Sequence, residues 1–372
     1  MQVIGSGATL RDCLIEQCQA VLGGGLFVEN GDLVLDGVIV KDNLARRGET
    51  GFPQDGDGGG MFAIGDSNVD IRGSRFETNQ AGGPGLHSIG RGGAIVATGV
   101  QLTLHGTRFQ DNIAICNQVM GSAFGGGVLV EGAEANATIF GCTFESNEAI
   151  AREARGGGLY VDQASVDIED VVFRGNFVLD INIEIDGEGG ANVVVRRSLF
   201  EENEAALAGG AVYGGVSYDE CNFRRNAALQ GGAGYVTLTP LVNPAYTACV
   251  FEENRAFCFS VCQKDGGALW GETVVTDCLF VANEAFGRGG AVWGGQIFDS
   301  TFLANRTTSP PDETSNVEGG AAWGADLVGC TLAENEAVGT VPMGLAAEAL
   351  GGGAAHSTLA YCELYDHVAP HG

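Results

Sequence analysis

Residues 265–285 read Asp265-Gly-Gly-Ala-Leu-Trp-Gly-Glu-Thr-Val-Val-Thr-Asp-Cys-Leu-Phe-Val-Ala-Asn-Glu-Ala285, and both halves of this stretch recur together along the chain. The first half is a glycine pair followed by Ala or Gly and a large apolar residue. The second is Cys, Ser or Thr, one residue, an apolar anchor that is usually Phe, two residues, and Asn. Paired signatures at a period of twenty to forty residues are the mark of a solenoid.

Glycine pairs begin at Gly23, Gly58, Gly92, Gly125, Gly156, Gly189, Gly209, Gly231, Gly266, Gly289, Gly319 and Gly351. The anchors are Val40, Phe76, Phe109, Phe144, Phe173, Phe200, Phe223, Phe251, Phe280, Phe302, Leu332 and Leu364. Three residues after each comes Asn43, Asn79, Asn112, Asn147, Asn176, Asn203, Asn226, Asn254, Asn283, Asn305 or Asn335, until His367 breaks the series; Cys18 stands in the Asn position of an initial half-unit. The shortest unit runs from Phe280 to Phe302, which suits one coil of a three-sided β-solenoid at ~3.3 Å per residue. Runs such as SVDIEDVVF alternate with the period of two expected of strands. The reading is all-β: a three-sided β-solenoid of about twelve to thirteen coils in one domain over 1–372, starting and ending in mid-repeat without evident caps.

In a solenoid each residue sits above its counterpart one coil earlier, so every column must be chemically self-consistent. The Asn column predicts an inward ladder of side-chain amides at a turn, satisfying polar groups that would otherwise cost ~1–3 kcal/mol each. Of the eleven cysteines, Cys13, Cys142, Cys221, Cys249, Cys278, Cys330 and Cys362 lie two residues before the anchor, where other coils carry Ser or Thr. This predicts a structural column of small buried thiols, with adjacent-coil disulfides such as Cys221 to Cys249 as the alternative. Cys258 and Cys262 fall outside the column, where they have the options of pairing or binding metal.

The formal charge of −28 on 372 residues belongs partly to the scaffold. Glu145, Arg174, Glu201, Arg224 and Glu252 alternate in one column, and Arg255, Glu284, Arg306 and Glu336 in another, as favourable cross-strand pairs. With only Lys41 and Lys264 as lysines, the acidic excess argues against nucleic-acid partners, which call for clustered Lys and Arg, and against direct membrane insertion.

Three features stand apart from the scaffold. Tyr213, Tyr235, Trp270, Trp293 and Trp323 occupy one column over five successive units, either facing inward as core or outward as a flat strip for sugar rings or for another protein. Extra length collects between the Asn and the next glycine pair, at Leu44 to Asp57, Gln80 to Arg91, Ile113 to Phe124, Phe177 to Glu188, Arg306 to Glu318 and Glu336 to Leu350, which places insertion loops on one side. Asp180, Asn182, Glu184 and Asp186 alternate with apolar residues so that on a strand their oxygens would share a face and could hold Ca²⁺; Asp55 and Asp57 are a weaker version of the same pattern. Catalytic signals are poor: His87, His105, His356, His367 and His371 are scattered, and no nucleophile elbow or phosphate-cradling loop is present.

The alternation of GGAIVATG with RFQDN, GGAVYGG with NFRRN and GGAVWGG with TFLAN resembles the repeats of the chlamydial polymorphic outer-membrane proteins over nearly the whole chain. The resemblance implies a right-handed parallel β-helix, the pectin-lyase-like architecture, and a surface-exposed passenger involved in adhesion. The expectation is therefore a non-enzymatic, extracellular or cell-surface rod that needs no cofactor other than Ca²⁺ and takes a polysaccharide or a host or cell-surface protein as partner. A polysaccharide lyase or glycoside hydrolase on the same scaffold is the first alternative. A filament subunit self-associating end to end through uncapped coils is the second.

Overall fold

In the computed structural model, the described residues are 1–46, 55–83, 88–116, 121–179, 184–186, 192–214, 216–236, 245–257, 264–309, 317–339 and 349–369, with only the backbone of 184–186 and 192. The chain is an all-β, right-handed parallel β-helix, and no helix occurs among the described residues. It falls into two compact units, Met1–Ser198 and Leu199–Gly372. In each, a coil passes through four strand positions that stack on those of the neighbouring coils as parallel sheets. The glycine pair opens the first sheet, the alternating run forms the second, the anchor lies in the third, and the residues after Asn form the fourth.

Period-two alternation decides what is buried. Phe76, Phe109, Phe144 and Phe173 in the first unit, and Phe200, Phe223, Phe251, Phe280 and Phe302 in the second, are at most 1% exposed. Within each unit they stack on one another, with ring centroids 4.7–5.3 Å apart. The charge columns face outward and pair as their alternation predicts: Arg224 with Glu252 at 3.3 Å, Arg255 with Glu284 at 3.0 Å, and Arg306 with Glu336 at 3.6 Å.

The Asn ladder is present and fully satisfied where it is described. Asn283 Nδ2 donates to the Phe251 carbonyl at 2.9 Å and to Asn305 Oδ1 at 2.9 Å. Asn283 Oδ1 in turn accepts from the backbone N–H and Nδ2 of Asn254, both at 3.0 Å. The residue before each of these asparagines is in the left-handed region, with Glu253 at φ 55, Ala282 at φ 52 and Ala304 at φ 53, a conformation that costs an L-residue roughly 1–2 kcal/mol. Four hydrogen bonds on the adjacent side chain hold that corner in place.

All nine described cysteines are free. In the column the thiol takes over the role of the serine hydroxyl: Cys278 Sγ accepts the Cys249 backbone N–H at 3.3 Å, as Ser300 Oγ accepts that of Cys278 at 3.1 Å. Burial pushes the Cys142 and Cys330 thiols up to about 11. Cys258 and Cys262 lie outside the described residues.

The two units differ in coil length. In the first unit the opening strands are four residues long, as in Met61–Ile64 and Val128–Glu131, and those of the second sheet are five, as in Asn68–Arg72. In the second unit they shrink to two in Leu269–Trp270, Val292–Trp293 and Ala322–Trp323, and to three in Val274–Thr276. Shortening a strand by two residues keeps every later side chain on its proper face, whereas removing one would invert them. In the first unit the insertions also carry strands of their own: Gly56–Asp57, Ile89–Arg91, Ser122–Phe124 and Glu153–Arg155 form a small additional sheet.

Two outcomes follow for the ladder. Asn283→Ala leaves the Asn254 amide and the Phe251 carbonyl without partners inside the core, and is expected to lower unfolding free energy by about 3 kcal/mol at ~1–3 kcal/mol per stranded group, measured by urea denaturation. His367 fills the Asn position, with Nδ1 accepting the Asn335 N–H at 3.3 Å, and burial holds its pKa below the ordinary 6.5. Its contribution is therefore present above about pH 6.5 and is lost as pH falls through the lowered folded value. His367→Asn is expected to remove that pH dependence, as read by amide exchange in the coil of His367.

Candidate functional site

Tyr213, Tyr235, Trp270, Trp293 and Trp323 lie directly opposite one another in the first sheet of the second unit. The residues just before them, Val212, Leu269, Val292 and Ala322, point inward and are at most 1% exposed. Alternation therefore puts the aromatic column on the outer face, where each ring is half-buried. Successive centroids are 5.2, 4.4, 4.7 and 5.3 Å apart with interplanar angles of 4–13°. Near-parallel rings this close cannot lie side by side in one plane, and the spacing exceeds the ~3.5–4.0 Å of direct face contact. They stack ring over ring along the column and are not laid side by side in the flat strip of the outward reading.

The equivalent column of the first unit is closed. Phe62, Val96, Leu129 and Tyr160 are no more than 6% exposed, with Ile64 and Phe124 packed against them. The longer strand there supplies side chains two residues further on, and Glu131 from that position accepts from Thr98 Oγ1 at 2.7 Å and pairs with Arg91, whose own backbone precedes the strand. In the second unit the residue after the aromatic is Gly214, Gly271, Gly294 or Gly324 in four of the five coils. The chain turns there at positive φ, 115° at Gly271 and 79° at Gly294. At Gly271 an added Cβ would also come within 2.3 Å of the Val236 carbonyl oxygen. Glycine ends the strand and leaves the rings uncovered.

A polar row borders the column on its other flank. Gln230, Asp265, Arg288 and Glu318 each precede a glycine pair and stand five residues before Tyr235, Trp270, Trp293 and Trp323. Arg288 grips Asp265 through Nη2 at 2.6 Å, Nε at 3.2 Å and its backbone N–H at 3.0 Å, and Asp265 is 3% exposed. The Arg288 guanidinium also lies over the Trp323 ring, 4.4 Å from its centroid. One Glu318 oxygen accepts the Trp323 indole N–H at 2.7 Å and lies 3.3 Å from His356 Nε2. The same five-residue relation recurs in the first unit, where Arg155 Nη1 meets Tyr160 Oη at 3.4 Å. Sequence reading passed over this row; the signal was the residue before each glycine pair, which reads Asp265, Arg288, Glu318 in consecutive coils.

The column is not optimised for stability alone. The indole N–H groups of Trp270 and Trp293 are buried without a hydrogen-bond partner, a cost of ~1–3 kcal/mol each that Phe would avoid. The inner column uses Phe throughout the second unit except at Leu332 and Leu364. The outer column uses only Tyr and Trp across these five coils.

Of the candidate Ca²⁺ ligands, Asp180 and Asn182 lie outside the described residues, as do the side chains of Glu184 and Asp186. Asp55 Oδ1 accepts the Ile89 N–H at 2.9 Å and Asp57 pairs with Arg91 at 3.2 Å, so both serve the insertion sheet. Burial raises the Asp57 carboxyl above its usual range, opposed by the nearby Arg91 charge. Among the described residues no group of three or more His, Cys, Asp or Glu is arranged to hold a metal ion.

Arg288→Met is expected to lower unfolding free energy by about 3 kcal/mol because it strands a buried carboxylate, while Asp265→Asn with Arg288→Met together costs about 1 kcal/mol or less. Equal losses in the single and the double variant, in a denaturation series, would contradict that assignment.

Comparison with known proteins agrees with the geometry. No curated protein and no solved structure matches the chain. The family described as right-handed β-helix region matches residues 1–178 and 126–306, and with parallel coils through both units the chain belongs to the right-handed β-helix family.

Proposed function

We propose that the protein is a carbohydrate-binding β-helix of the cell surface or the extracellular space, which holds a polysaccharide along the outer aromatic column of its second unit without cleaving it. The observation that carries this reading is the uncovered run of Tyr213, Tyr235, Trp270, Trp293 and Trp323, one ring per coil, bordered by hydrogen-bonding side chains. Amphipathic sugar rings offer C–H faces to aromatic surface and hydroxyls to polar neighbours, and a linear polymer matches a linear column. The resemblance of the repeats to those of the chlamydial polymorphic outer-membrane proteins supports an adhesive role for such a surface.

Binding is favoured over lysis or hydrolysis because both carboxylates of the polar row are already engaged. Asp265 is buried against Arg288, and Glu318 is held by the Trp323 N–H. A glycosidase needs a pair of carboxyl groups free to donate a proton and to attack or activate water.

Native electrophoresis through gels containing xyloglucan, glucomannan, arabinoxylan or laminarin tests the reading. At least one polymer is expected to retard the protein, with Trp293→Ala weakening retention about tenfold, the loss of one aromatic hot spot. Free migration through every gel would refute binding, and new reducing ends or unsaturated products in the mixtures would replace it with an enzyme.

A further inference from the structure

Resting on that reading, we infer that the polysaccharide held by the second unit is uncharged, and that the trough around the aromatic column is built to exclude polyuronates. The inference comes from the charges that face the rings. On the row side stand Asp265, Arg288 and Glu318, with His356 against Glu318. On the glycine side the exposed Glu272 reaches over the neighbouring coil, its Oε1 3.9 Å from where a Cβ on Gly294 would sit. Carboxylates therefore border the column on both flanks.

Arg288 is the only Arg or Lys in this set of groups, and its charge is matched by the buried Asp265 carboxylate. Its Nε and Nη2 are on Asp265, and a face of its guanidinium is covered by Trp323. Lys264, the one lysine of this unit, is fully buried. Recognition of a uronate calls for a free guanidinium or ammonium, or a bound cation, at each carboxylate met. Here a polyuronate would bring repeated negative charges alongside Glu272 and Glu318, and like charges repel. A polycation gains little in return, because Asp265 and Glu318 already have partners. What the trough offers is aromatic surface, acceptor oxygens and a glycine shelf that admits close approach, and these suit the hydroxyls and C–H faces of a neutral chain.

The test is native affinity electrophoresis of the full chain with EDTA at about 0.15 M salt, where surface charges are screened beyond about 8 Å. It uses neutral xyloglucan and glucomannan, polygalacturonate and alginate, and chitosan oligosaccharide, with wild type, Trp293→Ala and Glu272→Lys. The expected result is retention of wild type by a neutral polymer at least about tenfold stronger than by either polyuronate, loss of that retention in Trp293→Ala, and a gain of polyuronate retention of about fivefold or more in Glu272→Lys. Polyuronate or chitosan binding that equals or exceeds neutral binding, and that depends on Trp293, overturns the inference and leaves the carbohydrate-binding reading standing. Retention by no polymer removes both. Glu272 is exposed, so its substitution tests the charge argument without disturbing the core.

Discussion

The amide ladder is the constraint on which the rest of this structure depends. Each coil must turn between its third and fourth strands through a residue with positive φ, and at Ala282 and Ala304 that conformation is imposed on a side chain that disfavours it. The adjacent asparagine makes the turn affordable in free energy by giving two hydrogen bonds and accepting two, with no exposed surface. Because each amide needs the one above and the one below, the ladder also sets the register between coils. Once that register is set, phenylalanines stack on phenylalanines, thiols and hydroxyls replace one another as acceptors, and outward charges meet their opposites.

The same register explains how one repeat produces two different outer surfaces. Strands of the first sheet in the first unit are long enough for side chains such as Ile64 and Glu131 to follow the outward column and close over it. Strands in the second unit stop at the aromatic residue or one residue after it, and in four of the five coils a glycine turns the chain there. A difference of two residues per strand, invisible to the ladder and to the core, converts a sealed column into an open one. Indole N–H groups left unpartnered at Trp270 and Trp293 mean that this surface is kept at some cost to stability.

The row of Asp265, Arg288 and Glu318 ties scaffold and site together. In the pair of Asp265 and Arg288 the carboxylate is buried and the guanidinium keeps about a quarter of its surface exposed. By engaging one another, the Trp323 ring and its N–H, these residues fix the edge of the aromatic column while removing their own charges from use.

The columns themselves were legible in sequence, because in a stacked fold a residue's neighbours above and below are its own counterparts at a known period. Asn79, Phe109 and Cys249 could be assigned their environments from spacing alone, and Arg255 with Glu284 from alternation of sign. Whether Trp293 faced in or out was not legible, since a two-residue strand is too short for alternation to orient it. The burial of Val292 beside it settles the question. Nor did spacing reveal that Phe62 and Tyr160 would be covered while Tyr235 and Trp270 would not, because cover depends on where the strand ends and on pairings such as Arg91 with Glu131 between different coils. Periodicity determines which residues share a column; only the folded backbone decides what stands beside that column, because lateral contacts join positions at unequal separations along the chain.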